Sequence, residues 1–345
     1  MKYRLAFLLA LITGCSRMEK NNPEHSFYYW KTTFKSDSGT AAFINKENIQ
    51  HFYIHFFDVD WDDNLYMPAP VAEIQDFKNA APFIQSLITP VIFITNRCLE
   101  RMDNAWCDSL AVKISNKIAF ISNRLNEINA QAKKSIDEIQ IDCDWTASTK
   151  EKYFHFLQLF KQYNSDKIIS ATIRLYPYKY FEKTGVPPVD RGLLMCYNLT
   201  NIKEANNSNS IFNINDLKQY LRGSKKYPLP LDVALPVFEW YAWFRKGSFM
   251  GIIYPGENGS FIENPILFKR TGNNFTLNSD TTIMDNYLTE GDVLRQETPD
   301  KEELGESAKL LLEKFSGLDR IAFFYWDSNL INKNKDVIHS IYTAF

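Results

Sequence analysis

Glycine and proline are scarce in this chain, 13 and 14 of 345 residues. No glycines gather into a phosphate-cradling loop or a G-x-S-x-G elbow, so nucleotide binding and serine hydrolysis lack their chemistry. An excess of one charge is missing too. Lysine and arginine number 39 against 41 aspartate and glutamate, a formal net charge of -2, which offers nucleic acid no basic field. Histidines and cysteines are few, five of each. Cys98, Cys107, Cys143 and Cys196 lack zinc-site spacing, and four strand residues put His51 and His55 about 13 Å apart, too far to share one ion. Asp58, Asp60 and Asp62 imitate the start of a calcium loop. Asp63 stands where that loop needs glycine, however, and Ala69 where it needs a bidentate Glu. No metal and no cofactor is expected.

What the chain has is the composition of a packed globular protein, 45% hydrophobic and 23% charged, with 26 Phe, 18 Tyr and 7 Trp. Most of these rings belong to a core, but flat aromatic faces also bind sugar rings, so carbohydrate stays open as a partner. At the amino terminus Lys2 and Arg4 precede a short apolar run, Leu5 to Ile12. That length suits a signal sequence, since a membrane span needs about 20 apolar residues. Ile12-Thr13-Gly14-Cys15 resembles the bacterial lipobox, which implies cleavage before Cys15, lipidation of its thiol and anchorage in the cell envelope. Residues 16–26 are then a polar tether. Disulfides are permitted in an exported protein. Cys98 and Cys107 are near enough in sequence to close a small loop, whereas Cys143 and Cys196 read as buried free thiols.

From residue 27 onward apolar, strand-like runs alternate with helical patterns. The runs are Phe27 to Phe34, Gln50 to Trp61, Pro90 to Thr95, Ser135 to Thr146, Ile168 to Leu175, Gly192 to Leu199, Leu231 to Glu239 and Arg320 to Trp326. Leu110, Val112, Ile114, Ile118, Ile121, Leu125 and Ile128 recur mostly at helical spacing. Ser148 and Glu151 read as a capping box that opens a helix marked by Tyr153, Phe156, Leu157 and Phe160. Eight strands alternating with helices predict an α/β fold, a (β/α)8 TIM barrel spanning 27–345, whose site lies at the carboxyl ends of the strands. The rhythm breaks at about 247–298, where alternating runs flank the Gly272-Asn273-Asn274 turn. This predicts a small β-rich insertion after the seventh strand. A monomer is the expected state.

The fourth run, SIDEIQIDCDWT, turns from apolar to acidic at its carboxyl end. Side chains alternate along a strand, so Gln140, Asp142 and Asp144 share one face while Ile141, Cys143 and Trp145 share the other. Carboxylates on a core strand need a reason, because burying one unpaired costs several kcal/mol, roughly. One reason is a structural Asp that has a partner, and another is a cleft that uses the acids. Glu239, near the end of the seventh run, is a second carboxylate that can face Asp144 or pair on the surface with Arg245. Trp30, within the first run, is a candidate sugar contact.

In order, these runs resemble the chitinase-type glycoside hydrolases of family eighteen. Asp137 to Asp144 is similar to the family's fourth-strand D-G-x-D-x-D-x-E: Asp137 and Asp142 match, Gln140 replaces the middle Asp, and Asp144 stands at the catalytic Glu. A frame shifted by two residues places Thr146 there instead, without the match at Asp137. Met195-Cys196-Tyr197-Asn198 resembles the sixth-strand M-x-Y-D, and Ala234 to Phe238 the seventh-strand G-x-P-x-Y. Trp326 falls where the eighth-strand Trp floors the sugar site. The resemblance implies hydrolysis of a glycan containing N-acetylhexosamine, with Asp144 as general acid, Asp142 assisting, and Tyr197 and Asn198 holding the acetamido group. Two other readings stay open, an Asp144/Glu239 acid and nucleophile pair, and a glycan-binding lipoprotein without catalysis.

Overall fold

The computed structural model describes residues 22–128, 135–255, 259–315 and 317–345. The expected signal segment, the lipidated Cys15 and the tether as far as residue 21 lie outside the described residues. In chain order the first elements are β1 (Glu24–Tyr29), α1 (Thr40–Lys46), β2 (Ile49–Asp62), β3 (Met67–Val71) and β4 (Leu87–Ile94). They are followed by α2 (Asn96–Arg101), α3 (Ala105–Ile128), β5 (Glu138–Asp142), α4 (Lys150–Tyr163) and β6 (Ile168–Arg174). Next come α5 (Leu175–Lys179), α6 (Phe181–Thr184), β7 (Arg191–Met195), α7 (Ile214–Leu221) and β8 (Leu231–Pro236).

Eight parallel strands close into a barrel in the order β1-β2-β4-β5-β6-β7-β8 and a last strand, introduced below, that returns to β1. The predicted α/β barrel is therefore the observed fold. β3 is an extra strand, antiparallel to the far end of β2, so the fourth barrel strand is β5. Between β8 and α8 (Lys301–Lys314) the chain leaves the barrel. It forms β9 (Trp240–Arg245), β10 (Ser248–Ile253), β11 (Phe268–Thr271), β12 (Asn274–Leu277), β13 (Thr281–Ile283), β14 (Asn286–Leu288) and β15 (Val293–Glu297). Five of these make an antiparallel sheet in the order β10-β9-β15-β12-β11, with its own core of Tyr241, Trp243, Phe275, Leu277 and Leu294. The β11–β12 hairpin turns at Gly272, whose φ of 62° suits a residue without Cβ. The chain then rejoins the barrel through β16 (Arg320–Phe324), which pairs with β8 and β1, and ends in α9 (Ser328–Ala344).

Cross-barrel hydrogen bonds show which side chains point inward. β1 and β5 are not neighbours in the sheet, yet the Tyr28 hydroxyl donates to Gln140 Oε1 at 2.5 Å. Arg320 on β16 reaches Glu138 on β5 and Tyr53 on β2. Arg320 also pairs with Glu24 at 3.0 Å, and its backbone N–H donates to Asp232. The amino-terminal end of the barrel is thus filled by a polar network in which each buried charge faces an opposite one, as burial of charge demands. The alternate residues of the same strands, Ile139 and Ile141 among them, join the apolar core outside the barrel.

Several local expectations change. The helix after β5 starts at Lys150 with Thr149 as its cap residue, and no side-chain cap bond forms, so the Ser148/Glu151 capping box is not made. Thr149 Oγ1 instead accepts from the Thr146 N–H at 2.9 Å, a bond that closes the loop after β5. Cys98 and Cys107 are buried free thiols that close no loop, whereas Cys143 and Cys196 are the buried free thiols expected. His51 bonds to Thr89 at 2.8 Å and His55 to Asp58 at 2.6 Å.

Candidate active site

The carboxyl end of β5 separates the two acids by depth. Asp142 is the last strand residue and lies inside the barrel, 9% exposed. The Thr172 hydroxyl, on neighbouring β6, donates to its Oδ1 at 2.5 Å. Burial first, and then the negative charge of Asp144, push the Asp142 carboxyl up to about 7, against the Thr172 hydrogen bond and the positive charge of Arg174. Asp144 has left the strand and lines an open cavity of about 830 Å³ at the barrel mouth. Its backbone is pinned, because the Asn96 side-chain amide donates to the Asp144 carbonyl and the Thr149 hydroxyl donates to Asn96 Oδ1 at 2.9 Å. Trp145 stacks on Tyr153 of α4, with centroids 5.6 Å apart, and anchors the same loop.

The Asp144 carboxylate is paired. Arg174, at the end of β6, places Nη1 3.1 Å from Asp144 Oδ2, with the two side chains 42% and 44% exposed. A pair that open to water contributes about 0–1 kcal/mol and exchanges partners readily. Tyr197 and Asn198, just past β7, line the same cavity. The Tyr197 ring stacks on Phe324 with centroids 5.0 Å apart, and burial, then the Asp142 and Asp144 charges, keep its hydroxyl protonated well above the ordinary range. Asn198 takes a left-handed φ of 54°, which Asn tolerates better than most residues. Its Oδ1 is buried without a partner, an acceptor that lacks a donor.

The other expected site residues are dispersed. Gln140 lies deeper in the barrel, held between Tyr28 and Ser170. Trp30 packs on His55 and Phe324, with centroids 4.7 and 5.4 Å apart. Glu239 does not line the cavity that holds Asp144, and it pairs with Lys333 of α9 rather than with Arg245, which binds Asp292. Trp326 is 2% exposed and packs edge-on against Phe27, Phe43, Phe52 and Phe83. Phe27 and Phe52 alternate with the inward Tyr28 and Tyr53, so Trp326 lies outside the barrel wall. The aromatic residues that line the mouth cavity are Trp145, Tyr176, Tyr197 and Tyr220. The sequence reading missed Arg174, the exposed Tyr176, Lys150 and Lys183, all of which line the cavity. Arg174 carried one signal, a charge at the carboxyl end of a barrel strand. No group of His, Cys, Asp and Glu among the described residues could hold a metal ion.

The raised Asp142 carboxyl makes a prediction about stability. Its folded-state value lies above the ordinary 3.8, so between about pH 4 and pH 7 the native state holds a proton that the unfolded state has released. The stability this group contributes is complete below pH 4 and is lost as pH rises through 7. Asp142→Asn imitates the protonated acid. It should match the parent near pH 4 and exceed it by on the order of 4 kcal/mol at pH 8, read from urea midpoints. Asp232, also raised, to about 6 by burial, is present in both proteins and cancels. A pH-independent difference between the two proteins contradicts the assignment.

Neither a family profile nor a curated protein sequence matches the chain. Solved structures do. The fold is similar to the spore cortex-lytic enzyme SleL of Bacillus cereus, at 15% identity over 93% of this chain and 74% of that one, with a TM-score of 0.51. It is similar to a chitinase of Chromobacterium violaceum, at 10% identity over 93% and 98% of the two chains, with a TM-score of 0.52. A fungal endo-beta-N-acetylglucosaminidase of glycosyl hydrolase family 18 matches at 8% identity over 94% and 98%, with a TM-score of 0.50. At these identities the likeness is one of fold, the closed eight-stranded parallel barrel that this chain shares with a cortex-lytic enzyme, a chitinase and an endo-beta-N-acetylglucosaminidase of glycosyl hydrolase family 18.

Proposed function

We propose that this protein hydrolyses a glycan containing N-acetylhexosamine at the barrel mouth, with Asp144 as general acid and Asp142 assisting. One observation carries the reading. Two acids two residues apart are split between a buried position that favours the proton and a position in the cavity, opposite Tyr197 and Asn198. Environments that drive neighbouring carboxyls apart in proton affinity are how acid and base roles are assigned. The names of the structural neighbours, a chitinase, a cortex-lytic enzyme and an endo-beta-N-acetylglucosaminidase, support the same class.

In the proposed reaction a proton passes from the carboxyl pair through Asp144 to the glycosidic oxygen as the bond to the anomeric carbon breaks. The substrate's own N-acetyl carbonyl oxygen attacks that carbon, and Asp142 steadies the cationic ring that forms. Water then opens the ring and returns its proton to Asp144. The Tyr197 hydroxyl and the unpartnered Asn198 Oδ1 hold the acetamido group. Asp144 is one methylene shorter than Glu, so the glycosidic oxygen must come correspondingly closer.

A second reading, a glycan-binding protein without turnover, is favoured by the Asp144–Arg174 ion pair, which occupies the acid. Release of reducing ends from a glycan panel by the full chain and by Asp144→Asn separates the two. Equal rates remove Asp144 from the mechanism, and binding without release supports the binder. We also propose that the protein works as a monomer, exported and tethered to the envelope through a lipid on Cys15. A palmitate label that persists in Cys15→Ala would refute the anchor.

A further inference from the structure

The cavity beside Asp144 is basic, although the whole chain carries a formal charge of -2. Three cations, Lys150, Arg174 and Lys183, line it against the single carboxylate of Asp144. They arrive from three separate elements, the first turn of α4, the end of β6 and the short α6. Their existing partners hold them loosely. Among the described residues, Lys150 pairs only with its sequence neighbour Glu151, whose side chain is 85% exposed, and Lys183 makes no ion pair. Arg174 holds Asp144, and both groups are open to water. Like charges gathered on one wall repel, and a ligand of opposite charge relieves that repulsion. What Arg174 already holds is a carboxylate, and a guanidinium fork matches that shape in two parallel hydrogen bonds.

We propose that the glycan is acidic, with a carboxylated sugar next to the N-acetylhexosamine, and that its carboxylate takes Arg174 away from Asp144. The inference rests on the glycan reading above and adds to it the substrate class and a gate. In the resting protein Arg174 occupies Asp144. When an acidic glycan enters, its carboxylate replaces that of Asp144 on Arg174, flanked by Lys150 and Lys183. Asp144 is then released toward Asp142 and the glycosidic oxygen. A neutral glycan of the same shape offers Arg174 no replacement carboxylate, so the ion pair goes on competing for the acid. The two readings of the site are thereby joined, because the pair that competes for Asp144 is the pair an acidic substrate opens.

The test uses the full chain and three acidic amino-sugar glycans, namely hyaluronan, heparosan and muramic-acid-containing strands, each in its native and its carboxyl-reduced form. Calorimetry at low salt should show at least one native form binding tenfold or more tighter than its reduced partner, with the ratio shrinking as salt screens the charges. In Arg174→Gln that ratio should fall at least fivefold, and any release of reducing ends from the reduced glycan should rise, since Asp144 has lost its partner. Lys183→Gln should lower the ratio less. Native and reduced forms bound equally well would overturn the acidic substrate while leaving the glycan reading intact. A ratio unchanged in Arg174→Gln would overturn the gate. Failure of every form to bind would sink the glycan reading itself, and this inference with it.

Discussion

Asp144→Asn should lower the release of reducing ends by about 10²–10⁴-fold, the span that a positioned proton donor contributes. Binding should not fall with it. The variant keeps the cavity, the Asn96 bond to the backbone carbonyl and the side-chain volume, and it frees Arg174 from its carboxylate. An acidic glycan should therefore bind the variant at least as tightly as the parent. That opposite movement of binding and turnover is hard to obtain from misfolding, which lowers both. The pH profile offers a second check. If the proton of the pair rests on Asp142, kcat/KM should fall as pH rises through about 7, the value to which burial and Asp144 push that carboxyl. Asp142→Asn should remove this limb. A profile flat across pH 6–8 in the parent would take Asp142 out of the mechanism.

Glu297→Ala should destabilise the protein by roughly 3–5 kcal/mol, the cost of leaving one member of a buried ion pair behind. Glu297 is fully buried at the end of β15 and pairs with Arg295, which is 2% exposed, at 2.6 Å. The same carboxylate accepts from the Ser210 backbone N–H and from the Trp240 indole, both at 2.9 Å. Arg295 in turn donates to the carbonyls of Ile202, Glu204 and Ala205. These bonds tie the inserted sheet to the segment after β7, whose residues Tyr197 to Asn201 wall the cavity. The loss should thus appear in hydrogen exchange first at residues 199–211, and in the denaturation midpoint. Glu182→Ala, which breaks an exposed pair with Lys225, should cost less than about 1 kcal/mol. If the two variants lose similar amounts, the buried network is not what holds the insertion.

Much of the barrel is legible in one dimension because a parallel strand buried on both faces must be apolar nearly throughout, and helices must separate such strands. β5 shows both halves of this. Its isoleucines mark the outward face, and Gln140 and Asp142 mark an inward face that only a polar interior or a cleft could accept. The site is less legible. Trp326 looks like a sugar platform because it lies close behind the eighth strand. That strand ends at Phe324, however, and the chain beyond it carries Trp326 onto the outer aromatic cluster with Phe27 and Phe52. Glu239 has a plausible partner in Arg245 by sequence, but β9 takes Arg245 to Asp292, and α9, nearly a hundred residues on, brings Lys333 to Glu239.

The order of strands and helices, the inserted sheet after the seventh barrel strand and the two acids at alternate positions of the fourth run all follow from the sequence alone, because each depends on local periodicity. Which of those acids is sealed and which meets solvent depends on where β5 ends relative to β6. The partner of Asp144 likewise depends on Arg174 arriving from the next strand, 30 residues later. Burial and charge pairing are properties of neighbours in space. Only closure of the barrel brought Thr172, Arg174, Tyr197 and Asn198 around a pair of carboxyls that, along the chain, stand among isoleucines.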